Sequence, residues 1–227
     1  IVRLIDGIDP IGNSMFVIGV LSAIIAALYA VFERDDGRAL GWSSVSQLGF
    51  AILSPSYACI YAMHHGICKT LLFTTLSSPI QDDKSGESEQ TAPTNIPEWL
   101  LVTIFVIASL SIMGLPLTAG FITKTWLKGD IPIEASLITS TSTLLTATVY
   151  ARLIWSRSKI YIKNLEIYKS LDNDKYNILS PQSIVLMISG ILIIGFSISY
   201  PEAYYYNNIQ SSLAAVVLAS FLYTSVA

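Results

Sequence analysis

Charge is what this sequence has least of. Its 13 basic and 16 acidic side chains make up 13% of 227 residues, about half of the roughly 25% usual in soluble domains. At the same time 52% of the residues are hydrophobic. This combination excludes an ordinary water-soluble domain and points to a polytopic membrane protein. The formal net charge is only −3, so there is no electrostatic footprint for a nucleic-acid partner. Cysteine and histidine are also scarce, with two of each. Cys59 and Cys68 share one apolar stretch; on a helix they stand more than ~13 Å apart along the axis, too far for a disulfide. They read as packing or membrane-facing residues. Metal-ligand spacings and glycine-rich phosphate loops are missing. Nothing here is suited to hold a flavin, haem or iron–sulfur cluster, so the expected cofactor list is empty and the chain itself is not expected to transfer electrons.

What the sequence does have is long apolar runs. A crossing needs about 20 apolar residues, and candidates lie at 12–32, 40–54, 57–77, 98–128, 136–156, 182–200 and 209–227. The run 40–54 is short and ends at Pro55; it is either a crossing with little tilt or partly re-entrant. The run 98–128 is long and is interrupted by GLPLTAG, in which Gly114, Pro116 and Gly120 are strong helix breakers. A broken helix at membrane depth is tolerated only inside protein or beside a water-filled cavity.

Basic residues alternate between the connections. Segment 33–39 holds Arg34 and Arg38, segment 78–97 holds Lys84, and segment 157–181 holds Arg157, Lys159, Lys163, Lys169 and Lys175. The intervening set holds only Arg3, with Lys128 at one border. Seven crossings with this alternation fit the positive-inside rule and place the three basic connections on the cytoplasmic or equivalent side. Segment 78–97 reads as a solvated connector, and segment 157–181 as a polar loop without a long amphipathic helix. The expected fold is all-α and integral to the membrane, a single transmembrane domain over 1–227 with about seven spans, one of them broken.

Of the cations, Lys69 and Lys124 fall well inside apolar runs. A charged amine at bilayer depth costs about 2.5–3.5 kcal/mol on insertion scales, so it is rarely kept without a task. A lysine can serve as a proton relay because its ammonium gives up a proton when desolvated. His65 is four residues before Lys69 and shares its helix face; histidine passes protons near neutral pH through two nitrogens. Tyr61 extends the same stripe, so Tyr61, His65 and Lys69 form a polar ribbon, while His64 points about 100° away. Ser43, Ser44, Ser46 and Gln47 add polar groups on the preceding run, and Thr118 and Thr123 flank Lys124. Arg152, near the end of 136–156, is placed to snorkel or pair at the interface.

Each group also has a bland reading. A membrane lysine can pair with a carbonyl or a lipid phosphate, and Lys124 can be an interface anchor like Lys128. His65 can simply bond a neighbouring helix, and His64 can pack or face a partner. The serines and Gln47 can be ordinary helix–helix glue, and the break can be a kink. The co-occurrence of two lysines, a histidine and a broken helix in one short region favours chemistry.

Three motifs carry a resemblance. GWSSVSQLGF (41–50) matches the pattern (A/G)-(Y/W)-S-S-x-S-Q-x-G-(Y/F). His65 and KTLLF (69–73) match a histidine–x–x–x–lysine helix ending K-A-L-L-F. Gly114, Pro116, Gly120, Phe121 and Lys124 match G-x-P-x-x-x-G-F-x-x-K. In this order they make the chain resemble the antiporter-like subunits of respiratory complex I and the related Mrp-type cation/proton antiporters, clearly over 34–127 and more weakly to about Trp155.

The resemblance implies about fourteen helices in two inverted repeats, each with a broken helix, with this chain as the second repeat. Lys69 would be the central relay lysine, Lys124 the terminal lysine on the broken helix, and His65 their connection through water. Arg38 matches the basic residue ahead of the serine–glutamine motif. Two departures stand out. Tyr61 occupies a position where many members have a second histidine, with His64 displaced from it. The first repeat, with its glutamate–lysine pair, is not in this sequence. The opening IVRLIDGIDP reads as a loop entered mid-protein, and the expectation is one half of a longer subunit. The implied function is proton translocation by a lysine/histidine/water relay within an NAD(P)H-quinone oxidoreductase of an energy-coupling membrane. Its expected partners are other membrane subunits, the N-terminal half, lipids and protons. The alternatives are an Mrp-type sodium/proton antiporter subunit without redox partners, and a non-conducting structural fragment.

Overall fold

A computed structural model describes residues 9–77, 96–131, 133–170, 181–204 and 206–226. The described residues are helical, with no strand among them. In chain order the helices are α1 (Asp9–Phe32), α2 (Asp36–Leu53), α3 (Ala58–Ser77), α4 (Glu98–Met113), α5 (Ala119–Asp130), α6 (Ile133–Ser170), α7 (Pro181–Ile198) and α8 (Tyr206–Val226), with a 3-10 turn at Pro201–Ala203.

Local chemistry sets the boundaries. The Asp35 carboxylate accepts from Arg38 N at 2.7 Å and caps α2. This cap starts α2 four residues before the apolar run 40–54, and the run is part of one continuous helix. Pro55 then holds Ser54 out of the helical region and opens the turn, 55–57, between α2 and α3. The run 98–128 divides into α4 and α5 at the expected breakers. Gly114 takes a left-handed φ of 85°, its N–H reaches Ser111 O at 3.0 Å, and Leu115 N reaches Leu110 O at 3.0 Å. This is a Schellman end, with Pro116 just beyond it. Leu117 also has a left-handed φ of 73°, a conformation uncommon for a side chain of its size.

One expectation needs correction. α6 does not stop at residue 156; it runs on to Ser170. Residues 133–170 contain neither proline nor glycine, so nothing in the chain breaks the helix where the apolar run ends. The remainder of the supposed loop, 171–180, and the connector 78–95 with Lys84 lie outside the described residues, as does Arg3.

Contacts sort the helix ends into two groups. Arg152 Nη1 donates to Val31 O at 2.8 Å, and Arg157 Nη2 donates to Leu76 O at 2.5 Å. The ends of α1 and α3 therefore lie together beside the later part of α6. Ser54 Oγ and Ser56 Oγ donate to Asp130 at 2.8 and 3.2 Å, and Trp126 stacks on Tyr57 and meets Tyr200 edge-on. The α2–α3 turn, the end of α5 and the end of α7 thus form the opposite group.

The polarity of the fold is turned outward-in. Large apolar side chains face out on α1 (Phe32, 78% exposed) and α7 (Ile198, 71%), while Ser43, Ser46, Gln47, Ser111, Ser142 and Thr146 are buried. In water that arrangement is unfavourable; against lipid it satisfies both surfaces. Ser14–Phe32 is the described helix that is long and apolar enough by itself to cross a membrane, and Trp99–Met113 and Ser183–Phe196 are shorter apolar stretches. α1 and α2 approach closely through small residues. A Cβ on Gly49 would stand 2.7 Å from Ala23 N and from Gly19 O.

Candidate functional site

Lys69 sits past the middle of α3 and is 6% exposed. Its Nζ donates to Leu40 O at 2.6 Å and to Ser43 Oγ at 3.1 Å, both on α2. Ser43 Oγ is in turn 2.9 Å from Tyr150 Oη on α6, and the Tyr150 ring centroid is 5.5 Å from Nζ. The ion pairs found among the described residues join Arg38 to Glu33 and Asp35 at the surface. No carboxylate pairs with Lys69 there. A cation enclosed by α2, α3 and α6 is therefore met by a carbonyl, a hydroxyl and an aromatic face.

The two histidines face different neighbours. His64 Nε2 lies 2.8 Å from Ser111 Oγ on α4 and 3.3 Å from Cys68 Sγ. Ser111 Oγ also accepts from Gly120 N at 3.2 Å. His64 thus touches the junction between α4 and α5. Glycine is required at 120 because a Cβ there would fall 1.7 Å from Ser111 O. His65 stacks on Tyr61 with ring centroids 6.2 Å apart. Its Nε2, like His64 Nδ1, is buried without a protein partner.

Tyr61 Oη donates to Gln47 Oε1, and Gln47 Nε2 donates to Thr146 Oγ1 at 3.0 Å. Further along the same α2–α6 seam, Ser46 Oγ and Ser142 Oγ both donate to Ala23 O, at 2.7 and 2.8 Å.

Lys124, in the second turn of α5, folds back toward the break. Its Nζ approaches Met113 O at 3.5 Å, and a Cβ on Gly114 would be 3.0 Å from its Cδ. The Gly114 carbonyl, left free by the helix end, accepts from Ser212 Oγ on α8. Lys124 lines a cavity of about 370 Å³ shared with Lys128, Thr143, Asn208 and Ser212.

Residues 6–156 match the family described as NADH:quinone oxidoreductase/Mrp antiporter, transmembrane. This chain belongs to that family. The antiporter-family chain is accordingly a multi-pass protein of an energy-coupling membrane. It is similar to NADH-quinone oxidoreductase subunit N of Buchnera aphidicola, 28% identical over 207 residues, which cover 81% of this chain and 41% of that protein. It is also similar to NADH-ubiquinone oxidoreductase chain 5 of Metridium senile, 27% identical over 202 residues, with 79% and 32% covered. A third relative is chloroplastic NAD(P)H-quinone oxidoreductase subunit 5 of Illicium oligandrum, 26% identical over 186 residues, with 75% and 24% covered. The chain spans less than half the length of each of these relatives.

Within this antiporter-family fold the expected ribbon divides. Tyr61, His65 and Lys69 do share a face, but Lys69 bonds to α2 rather than to His65, and Tyr61 bonds to Gln47. His64, expected to pack or face a partner rather than relay, meets the broken helix at Ser111. Arg38 lies at the surface, its side chain 72% exposed, paired with Glu33 at 3.7 Å. Thr123 Oγ1 bonds its own helix at Ala119 O, 3.2 Å away, and Thr118 Oγ1 bonds Leu115 O at 2.7 Å. Ser111, Ser142, Thr146 and Tyr150 were not singled out by sequence reasoning. A signal was present for three of them: Ser142, Thr146 and Tyr150 recur every four residues on an apolar helix, which is one polar stripe.

Proposed function

We propose that this chain is the proton-carrying part of an antiporter-like subunit of an NAD(P)H-quinone oxidoreductase. In this reading it forms one domain of about seven spans, the second of two inverted repeats. Its partners are the first repeat, neighbouring membrane subunits and lipid. Lys69 takes up a proton and passes it by way of His65 and water to Lys124, which exchanges it through the cavity beside α8. The observation that carries the reading is Lys69 itself, a buried amine whose acceptors among the described residues are uncharged, on the helix that also reaches the broken α4–α5 junction through His64. The two orphan ring nitrogens of His64 and His65 support transfer through water, since buried polar atoms without protein partners are the usual sites of internal water.

Coupling between the lysines is electrostatic. At a spacing of about 10 Å and an effective dielectric of about 20, two charges interact by roughly 1.7 kcal/mol. That biases a relay without driving a pump, so the driving energy comes from a redox partner. The names of the relatives support this redox-linked reading over an Mrp-type sodium/proton exchanger. The experiment is proton translocation by vesicles holding the assembled complex with the full-length subunit. Lys69→Ala and Lys124→Ala each lose most of the translocation coupled to quinone reduction. Undiminished translocation in the double variant means that the chain is a non-conducting structural element.

A further inference from the structure

Ser43 Oγ stands between Lys69 Nζ, 3.1 Å away, and Tyr150 Oη, 2.9 Å away, and either hydroxyl of the Ser43–Tyr150 pair can be the donor. Tyr150 is fully buried, at 0% exposure, and Ser43 is at 1%. A hydroxyl placed between an amine and a second hydroxyl has two bonding arrangements. With Lys69 charged, the ammonium donates to Ser43 Oγ, and the Ser43 hydrogen goes to Tyr150 Oη. With Lys69 neutral, Tyr150 Oη–H donates to Ser43 Oγ, and the Ser43 hydrogen goes to the amine lone pair. The exchange requires two O–H bonds to rotate and no side chain to leave its place. Leu40 O cannot do this alone, because a carbonyl only accepts and leaves the lone pair of the neutral amine without a donor. A carboxylate has the same defect. The Tyr150 ring, 5.5 Å from Nζ, adds a cation–π contact to the charged state.

We infer that Tyr150 is a positioning residue for the protonation cycle of Lys69: acting through Ser43, it keeps the amine hydrogen-bonded in both charge states. The inference rests on the proposed proton carriage by Lys69. The proton is not handed to the tyrosine, which only turns its own hydroxyl. The titratable groups around this cluster are Cys68, His64 and His65 on α3, Lys124 on α5 and Tyr61 beneath Gln47. α2 contributes Ser43 and the Leu40 carbonyl, neither of which titrates.

Tyr150→Phe keeps the ring and removes the hydroxyl, and Ser43→Ala removes the other half of the pair. The assay is the pH profile of coupled proton translocation by vesicles containing the assembled complex, with the subunit content of each variant checked first. Each single variant displaces the profile by about half a pH unit or more in the same direction, as expected when the charged state, whose donor hydrogens all need acceptors, loses more than the neutral one. The double variant moves it no further than Ser43→Ala, because without the Ser43 hydroxyl Tyr150 has no bond through which to reach the amine. Profiles of Tyr150→Phe and Ser43→Ala that superimpose on wild type overturn the inference. If Tyr150→Phe does not assemble, the Ser43→Ala profile decides alone. Lys69→Ala in the same assay separates the two ideas. If it abolishes translocation while Tyr150→Phe matches wild type, the positioning role alone falls; if it leaves translocation intact, the proton-carriage reading falls and takes this inference with it.

Discussion

Proton carriage by Lys69, as proposed, sets two requirements at the scale of single residues: the amine has to be hydrogen-bonded, and it has to remain uncompensated by a fixed negative charge. Leu40 O and Ser43 Oγ meet the first without violating the second. Replacing a buried amine that has no ion-pair partner by an apolar side chain of similar length removes the cost of desolvating it. Lys69→Met is therefore expected to leave the thermal unfolding temperature of the detergent-purified complex unchanged or raised, whatever it does to transport; a marked drop means that the lysine is a structural post. Tyr61 shows the opposite balance. Its hydroxyl is the donor to buried Gln47 Oε1, so Tyr61→Phe leaves an acceptor unsatisfied at about 1–3 kcal/mol. Adding Gln47→Leu recovers part of that loss, and unfolding midpoints of the single and double variants measure both effects. Lys69 was legible in the sequence because a charge in an apolar run is conspicuous. Tyr150 was not, because a tyrosine in an apolar helix is ordinary until the fold brings Ser43 to its hydroxyl.

The element on which the site depends is the break between α4 and α5. Gly114 is there for its left-handed backbone, and an alanine at φ 85° costs about 1 kcal/mol or more. Gly114→Asn is milder, since asparagine tolerates that conformation at a helix end. Gly120 is there for space, because a methyl group would overlap Ser111 O. Gly120→Ala is thus expected to be the more damaging substitution, pushing α5 from α4 and parting His64 from Ser111. Comparing the melting temperatures and assembly yields of Gly114→Ala, Gly114→Asn and Gly120→Ala checks the order, and equal effects contradict it. The break was readable from Gly114, Pro116 and Gly120. The choice between the adjacent histidines was not, because the 100° step between them decides which one meets α4 only once α3 has been packed against it. The extension of α6 was missed for a different reason: polarity marks where a membrane ends, whereas helices end at caps and breakers.

At the scale of the whole molecule, the buried polar seam and the apolar exterior follow from family membership in a membrane setting, and the two groups of helix ends give the fold a sidedness. Single cysteines introduced at Asp35 and Lys159 are expected to react with a membrane-impermeant thiol reagent from the basic side, and those at Ser56 and Glu202 from the other, in a background without Cys59 and Cys68. Labelling of Asp35 and Glu202 positions from the same side contradicts that arrangement. The most direct measurement is the number of protons moved per quinone reduced by vesicles containing the assembled complex with Lys69→Met. Proton carriage by Lys69 predicts a lowered ratio in a complex that is folded and fully assembled; a ratio equal to wild type contradicts it.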